Sequence, residues 1–163
     1  MYIQDVKSGK KSEVTIEPIP EKELKTIKKD PQFQFDWNKY KGKEVYKLNI
    51  LNDVKIQGLM CIMDHKDVSI NAIEIELLEV RDENVGKKKK LDRIAGSLIA
   101  FACRESIKRG HEGYFFLVPK TDLIKHYQSK YHLAYIGPMG TNLSGMMVGE
   151  EKISRKLIKE YLE

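Results

Sequence analysis

Two cysteines in 163 residues are too few for a disulfide framework, and Cys61 and Cys103 stand too far apart for a zinc knuckle. Each sits in an apolar run, one in an expected strand and one in an expected helix, so both read as buried free thiols. No apolar run approaches the roughly 18 residues that a membrane-spanning helix needs. The opening MYIQDVKSGKKSEV lacks an apolar signal core, so secretion is not expected and the cytoplasm is the expected compartment. His65, His111, His126 and His132 have no metal-ligand spacing and read as surface residues, so no metal is expected. There is no Ser-His-Asp order, no Walker-type Gly-Lys-Ser/Thr element, no internal repeat and no flexible linker.

What is present suits one α/β domain over residues 1–163, with 1–12 as a loosely ordered lead-in. A chain of this length can bury roughly two thirds of its unfolded surface. The net charge is +5 and the pI is about 9.0. That balance permits nucleic acid but equally suits a polyanionic cofactor. The charge is spread along the chain apart from Lys87, Lys88, Lys89 and Lys90. A nucleic-acid surface would interleave aromatics with Lys and Arg on a sheet face. The aromatic cluster Phe33, Phe35, Trp37 and Tyr40 lies outside the expected strands, which ranks that partner last.

The order of elements follows from periodicity and breakers. Val14–Ile19 alternates as a strand stopped by Pro18 and Pro20. Glu21–Lys29 reads as a short helix, acidic first and basic last, with Leu24 and Ile27 inside. Gln32–Lys43 is aromatic but irregular, either packing over the core or forming a wall of a substrate groove. Val45–Leu51 and Val54–Met63 are strands about an Asn52-Asp53 turn. A second turn at Asp64–Asp67 leads into a strand over Val68–Val80, so an antiparallel meander is expected. The basic loop RDENVGKKKK, the helix LDRIAGSLIAFACRESIKRG and the strand GYFFLV then suggest a crossover to a parallel neighbour. Thr121 caps a helix to about Ser129, Leu133–Gly137 and Met146–Val148 are short strands, and Glu150–Leu162 is an amphipathic helix.

Two features carry chemistry. Within Val68–Val80 the apolar set moves from even positions (Val68, Ile70, Ala72) to odd ones (Ile73, Ile75, Leu77), and Leu78 and Val80 then restore the even set. Such a change predicts either a bulge, which frees backbone groups for a ligand, or a strand buried on both faces. It also places Glu74 and Glu76 on one face, as candidate general bases or as carboxylates paired with lysines. The second feature is the helix start. Its unpaired N–H groups and partial positive charge suit a phosphate, and Ala95, Gly96 and Ser97 allow close approach. The four preceding lysines alone read as a solvated loop.

In KLDRIAGSLIAFA, Lys90, Arg93 and Ala95 fall at the positions of a Q/R-x-x-G-x-G/A motif at the start of a central helix. Together with the order of elements over roughly residues 14–148, this resembles the GNAT superfamily of acyl-CoA-dependent N-acyltransferases. Arg93 replaces the first Gly of the motif. Lys120 stands where many members have Asn, and Tyr131-His132 replaces a Gly-Phe. The resemblance implies a mixed, mostly antiparallel sheet with a splayed parallel central strand pair, flanked by helices. It implies acetyl-CoA as co-substrate, held by Leu78, Val80, Lys90, Arg93, Ile94, Ala95, Gly96 and Ser97. A primary amine, small molecule or protein, would accept the acetyl group. Glu76 or Glu74 would take the ammonium proton, and Tyr127 would protonate the leaving thiolate; its other reading is a tyrosine at a helix's core edge. Acceptor selection is expected from Gln32–Lys43 and Thr141–Gly145. A catalytically inactive acyl-CoA-binding or interaction module is the alternative, and a homodimer is one arrangement the sequence allows.

Overall fold

The computed structural model describes residues 1–119, 123–138 and 145–163. Its nine strands form one sheet. In chain order they are β1 (Tyr2–Asp5), β2 (Lys11–Pro18), β3 (Glu44–Ile50), β4 (Ile56–His65), β5 (Ala72–Val80), β6 (Leu91–Asp92), β7 (Phe115–Leu117), β8 (Ala134–Ile136) and β9 (Met146–Gly149). The helices are α1 (Glu21–Leu24), α2 (Ile94–Lys108), α3 (Ile124–Tyr131) and α4 (Glu151–Tyr161). Across the sheet the order is β6-β1-β2-β3-β4-β5-β7-β9-β8. β5 and β7 run parallel, whereas β1–β2, β1–β6, β2–β3, β3–β4, β7–β9 and β8–β9 are antiparallel. The parallel ladder joins Ile73 to Phe115 and Glu74 to Phe116. β7 then ends at Leu117 while β5 continues to Val80, so the pairing stops part-way along β5.

The chain divides into two compact units, Met1–Ile62 with Leu77–Leu98, and Met63–Glu76 with Ile99–Glu163. In the first, Leu24, Ile27, Phe33, Trp37, Val45, Ile56, Leu59 and Cys61 make one buried cluster, with Phe35, Tyr40 and Leu77 packed against it. The aromatic Gln32–Lys43 segment is therefore core packing on its inner side. Gly58 brings α2 close to β4. A Cβ there would lie 2.8 Å from Ile94 Cγ2 and 3.0 Å from Leu98 Cδ1, distances that side chains do not tolerate without a shift. In the second unit α4 packs on Gly113, whose carbonyl accepts the Ser154 hydroxyl. Both cysteines are buried, and burial pushes the Cys103 thiol up to about 12. No helix among the described residues is long and apolar enough to cross a membrane.

Four sequence expectations are corrected here. Residues 1–12 are no loose lead-in but a hairpin. Asp5 Oδ1 accepts the N–H groups of Lys7 (3.0 Å) and Ser8 (2.7 Å), Gly9 takes a φ of +72°, and Ile3 is 0% exposed. The polar Lys/Ser/Gly stretch is the turn, and one apolar residue anchors the strand. Glu21–Lys29 is not a continuous helix but one α-turn followed by a 3-10 turn at Ile27–Lys29. The Thr26 hydroxyl and N–H both bond back to the Glu23 carbonyl, which tightens the chain. The strand ending at Val80 begins at Ala72, not Val68. Asp67 caps a turn over Ser69–Asn71, leaving Val68 95% exposed. Without those residues, no position of β5 is exposed, which favours a strand covered on both faces over a bulge as the source of the mixed parity. Finally, β4 is displaced to Ile56–His65 from the expected Val54–Met63. Lys120, Thr121 and the stretch 141–144 lie outside the described residues.

Candidate active site

The turn between β5 and α2 is braced from both ends. Asn84 is buried, donates its amide to Gln57 Oε1 (3.0 Å), and accepts the Leu91 N–H (3.1 Å). β6 then pairs with β1, Gln4 opposite Asp92 and Asp5 opposite Leu91, and the Val6 N–H donates to the Lys90 carbonyl (2.9 Å). The N-terminal hairpin thus holds Lys90–Asp92 in place. This bracing went unread in the sequence because β6 is two residues long and carries no periodic signal.

The lysines differ from one another once placed. Lys90 Nζ lies 3.0 Å from Glu83 Oε2, and Lys55 Nζ lies 2.8 Å from its Oε1. Hydrogen bonds from Lys55 and Lys90 hold the Glu83 carboxyl well below the usual range, at about 2. Lys89 pairs with Asp92 (2.8 Å), and Lys87 and Lys88 are exposed.

Arg93 has a φ of +80°, the left-handed region that glycine enters without penalty. Its N–H donates to Asp92 Oδ1 (2.8 Å) and its Nε to the Tyr2 carbonyl (3.3 Å), and the guanidinium lies 4.3 Å over the Tyr2 ring. The side chain is drawn toward β1. The first intrahelical bond of α2 runs from Ser97 N–H to Arg93 O (2.9 Å), so the N–H groups of Ile94, Ala95 and Gly96 precede it. Ile94, Gly96 and Ser97 are buried and Ala95 is half-buried. The Ser97 hydroxyl is buried without a hydrogen-bond partner. This turn joins successive N–H donors, small side chains and two cations, a donor set that fits a pyrophosphate.

On β5, Leu78 and Val80 are half-buried, whereas Glu79 between them is 7% exposed. Its carboxylate accepts the Gln34 N–H (2.6 Å), the Trp37 indole N–H (2.7 Å) and, at 3.4 Å to each oxygen, the Phe35 N–H. Sequence reasoning missed Glu79. The available signal was its place in the odd-numbered set Ile73, Ile75 and Leu77, where a carboxylate must find donors or not be buried.

In the second unit, Glu74 Oε1 lies 2.8 Å from His65 Nε2, and the His65 ring is 5.5 Å from that of Phe116. Glu76 is half-buried two residues along the same face. Tyr127 sits in α3 with its ring 6.1 Å from Tyr131 and 6.0 Å from His126. Burial pushes its phenol above the ordinary tyrosine value. α3 ends at His132, whose φ of +58° is a left-handed helix cap.

His111 corrects the expectation of a surface histidine. It is 3% exposed, with Nδ1 2.6 Å from Asn71 Oδ1 and Nε2 2.6 Å from Asp64 Oδ1, and Arg109 approaches the same aspartate at 3.4 Å. Burial raises the Asp64 pKa, but His111 and Arg109 more than offset it, so the carboxyl falls below its usual value. The two hydrogen-bond partners of His111 stand 40 and 47 positions before it, which no sequence spacing reveals. Among the described residues, no group of three or more His, Cys, Asp or Glu is placed to hold a metal ion.

No family model and no curated protein matches the sequence. Solved structures do. A chimera of spermidine N-acetyltransferase SpeG from Vibrio cholerae and hSSAT is similar at 12% identity and a TM-score of 0.59, covering 89% of this chain and 99% of that one. AtaTR bound with AcCoA is similar at 14% identity and a TM-score of 0.61, covering 89% and 98%. An acetyltransferase of the GNAT family from Listeria monocytogenes 4b F2365 is similar at 12% identity and 0.58, covering 91% and 97%. The fold is that of the GNAT acetyltransferases. Within the GNAT fold the braced Lys90–Ser97 turn stands at the motif position that the sequence resemblance assigned to pyrophosphate. Arg93 takes a left-handed φ, the conformation that suits the glycine which the resemblance puts at that motif position.

Proposed function

We propose that the chain is an acetyl-CoA-dependent N-acetyltransferase acting on a primary amine. The observation that carries this reading is the turn from Lys90 to Ser97 at the head of a 15-residue α2. Its N–H groups at Ile94, Ala95 and Gly96, with the ammonium of Lys90, are assigned to the pyrophosphate. Arg93, held over Tyr2, adds positive charge beside that ligand. The backbone at Leu78 and Val80 is assigned to the acyl-pantetheine arm, an N–H near Leu78 polarising the acetyl carbonyl.

Glu74 and Glu76 are assigned the proton of the attacking ammonium, Glu74 being oriented by its hydrogen bond to His65. Tyr127 is assigned the proton for the departing thiolate. Like any tyrosine it is protonated at neutral pH, the form a general acid requires, and burial raises its pKa further. The likeness of the fold to a spermidine N-acetyltransferase makes alkyl polyamines reasonable first acceptors to try.

The test is release of CoA thiol from acetyl-CoA in the presence of spermidine, n-butylamine and lysine amide. Amine-dependent release supports the reading. Binding of acetyl-CoA without transfer to any amine supports a ligand-binding module instead.

A further inference from the structure

We propose that His65 Nδ1, rather than the Glu74 carboxylate, takes the proton of the attacking ammonium, with Glu74 as its charge partner. This rests on the acetyltransferase reading above and moves one proton within it. The His65 ring joins three strands. It is carried by β4, its Nε2 lies 2.8 Å from Glu74 Oε1 on β5, and it stands 5.5 Å from the Phe116 ring on β7. The sheet order is β4-β5-β7, so a β4 side chain that reaches Phe116 lies across β5. Glu74 and Phe116 are also the last register pair of the parallel ladder, which puts the imidazole where β5 parts from β7.

Hydrogen-bond chemistry fixes the tautomer. An ionised carboxylate only accepts, so Nε2 carries the hydrogen toward Glu74, and Nδ1 is the lone-pair nitrogen of a neutral ring. Nδ1 has no hydrogen-bond partner among the described residues, and the side chain is 21% exposed. An imidazole is ordinarily a stronger base than a carboxylate by about two pKa units, nearer the operating pH that general-base transfer favours. In the step, the ammonium N–H bond breaks, its electron pair stays on the amine nitrogen, and the proton bonds to Nδ1. The freed amine attacks the thioester carbonyl. The imidazolium, balanced by Glu74, then gives its proton to solvent. Glu74 is the charged group that faces the ring from β5, and Phe116 from β7 is uncharged. On β4 itself Asp64 is engaged by His111 and Arg109, and Lys66, just past the strand, is exposed.

The experiment is the pH dependence of kcat/KM, at saturating acetyl-CoA, for whichever of spermidine, n-butylamine and lysine amide the wild type accepts. Wild type, His65→Gln and Glu74→Gln are compared, and His65→Ala is assayed with and without added imidazole. Glutamine at position 65 keeps an N–H donor for Glu74 but has no basic nitrogen. Glutamine at position 74 keeps an acceptor for Nε2 but removes the charge. His65→Gln should lose about 100-fold in kcat/KM for the amine with acetyl-CoA KM unchanged. Imidazole should restore about tenfold or more to His65→Ala, a gain that only folded protein can show. Glu74→Gln should lose only about tenfold. Its acid-side fall should move to lower pH, because the ring no longer has a carboxylate to stabilise its charged form.

A larger loss in Glu74→Gln than in His65→Gln, with no imidazole rescue, returns the proton to Glu74 and overturns the inference. Equal rises in amine and acetyl-CoA KM in His65→Gln, with kcat unchanged, mark a structural role and also overturn it. If wild type releases CoA thiol with none of the amines, the acetyltransferase reading itself falls, and this inference with it. An active wild type indifferent to His65 sinks the inference alone.

Discussion

Arg93 offers the sharpest test of the site's backbone, because two substitutions there separate conformation from contact. At φ +80° a residue with a Cβ pays about 1 kcal/mol or more that glycine does not. Arg93 also earns a half-exposed guanidinium–ring contact with Tyr2 at 4.3 Å, about 0.5–1 kcal/mol. Its Nε–carbonyl bond at 3.3 Å is long and adds at most a similar amount, about 0.5–1 kcal/mol. Arg93→Ala keeps the conformational cost and loses both contacts, a destabilisation of about 1–2 kcal/mol. Arg93→Gly loses the same contacts but relieves the backbone, so it should be near neutral, about 1 kcal/mol more stable than the alanine variant. For a chain of this size that separates the two melting temperatures by roughly 2–4 °C. Urea unfolding with a common m-value measures the difference directly. Equal stability of the two variants, or a glycine variant less stable than alanine, would refute a left-handed Arg93. Acetyl-CoA affinity should fall by no more than a few-fold in Arg93→Gly, since the guanidinium is engaged with Tyr2 and offers the phosphates only charge at a distance.

Other consequences can be checked alongside. Tyr127→Phe should lower kcat by about 100-fold or more while leaving acetyl-CoA KM unchanged, and an unchanged kcat removes the general-acid assignment. Glu83, with its pKa depressed from 4.5 to about 2, contributes stability that is fully present above pH 4.5 and lost as pH falls toward 2. Because Lys55 and Lys90 are largely solvated, Glu83→Gln should cost only about 1 kcal/mol at neutral pH, and the loss of stability between pH 4.5 and 2 should be shallower in that variant. Gly58→Ala should destabilise by about 1–3 kcal/mol and weaken acetyl-CoA binding, because the added methyl displaces Ile94 at the start of α2. His111→Ala removes the partner of half-buried Asp64 and of Asn71, and should cost about 1–3 kcal/mol in thermal or urea unfolding.

The parts of the fold that could be read from residues are those with strong local signals. β5, α2 and β7 announced themselves through the IEIELLEV run, the small and apolar face of IAGSLIAFA, and GYFFLV. The Lys90–Ser97 turn was legible as a candidate phosphate site because Lys90, Ala95 and Gly96 keep the residue types that close approach requires. What escaped was tertiary in origin. β1 has a single buried apolar residue, Ile3, and is held by pairing with β2, while β6 is two residues long and exists because β1 pairs with it. Val68 and Ile70 looked like strand residues by their β-branching, but Asp67 bends the backbone beneath them. Glu79 and His111 are polar residues buried against partners dozens of positions away, so Glu79 went unread and His111 was expected at the surface.

Titration of acetyl-CoA against thermal unfolding tests the central claim most directly. At about 100 times its Kd, a ligand of the native state adds about 2.7 kcal/mol, a rise of roughly 5–10 °C for this chain. The account predicts that rise with acetyl-CoA and CoA alike, since both carry the pyrophosphate assigned to the Lys90–Ser97 turn. An unchanged melting temperature at millimolar acetyl-CoA would contradict it.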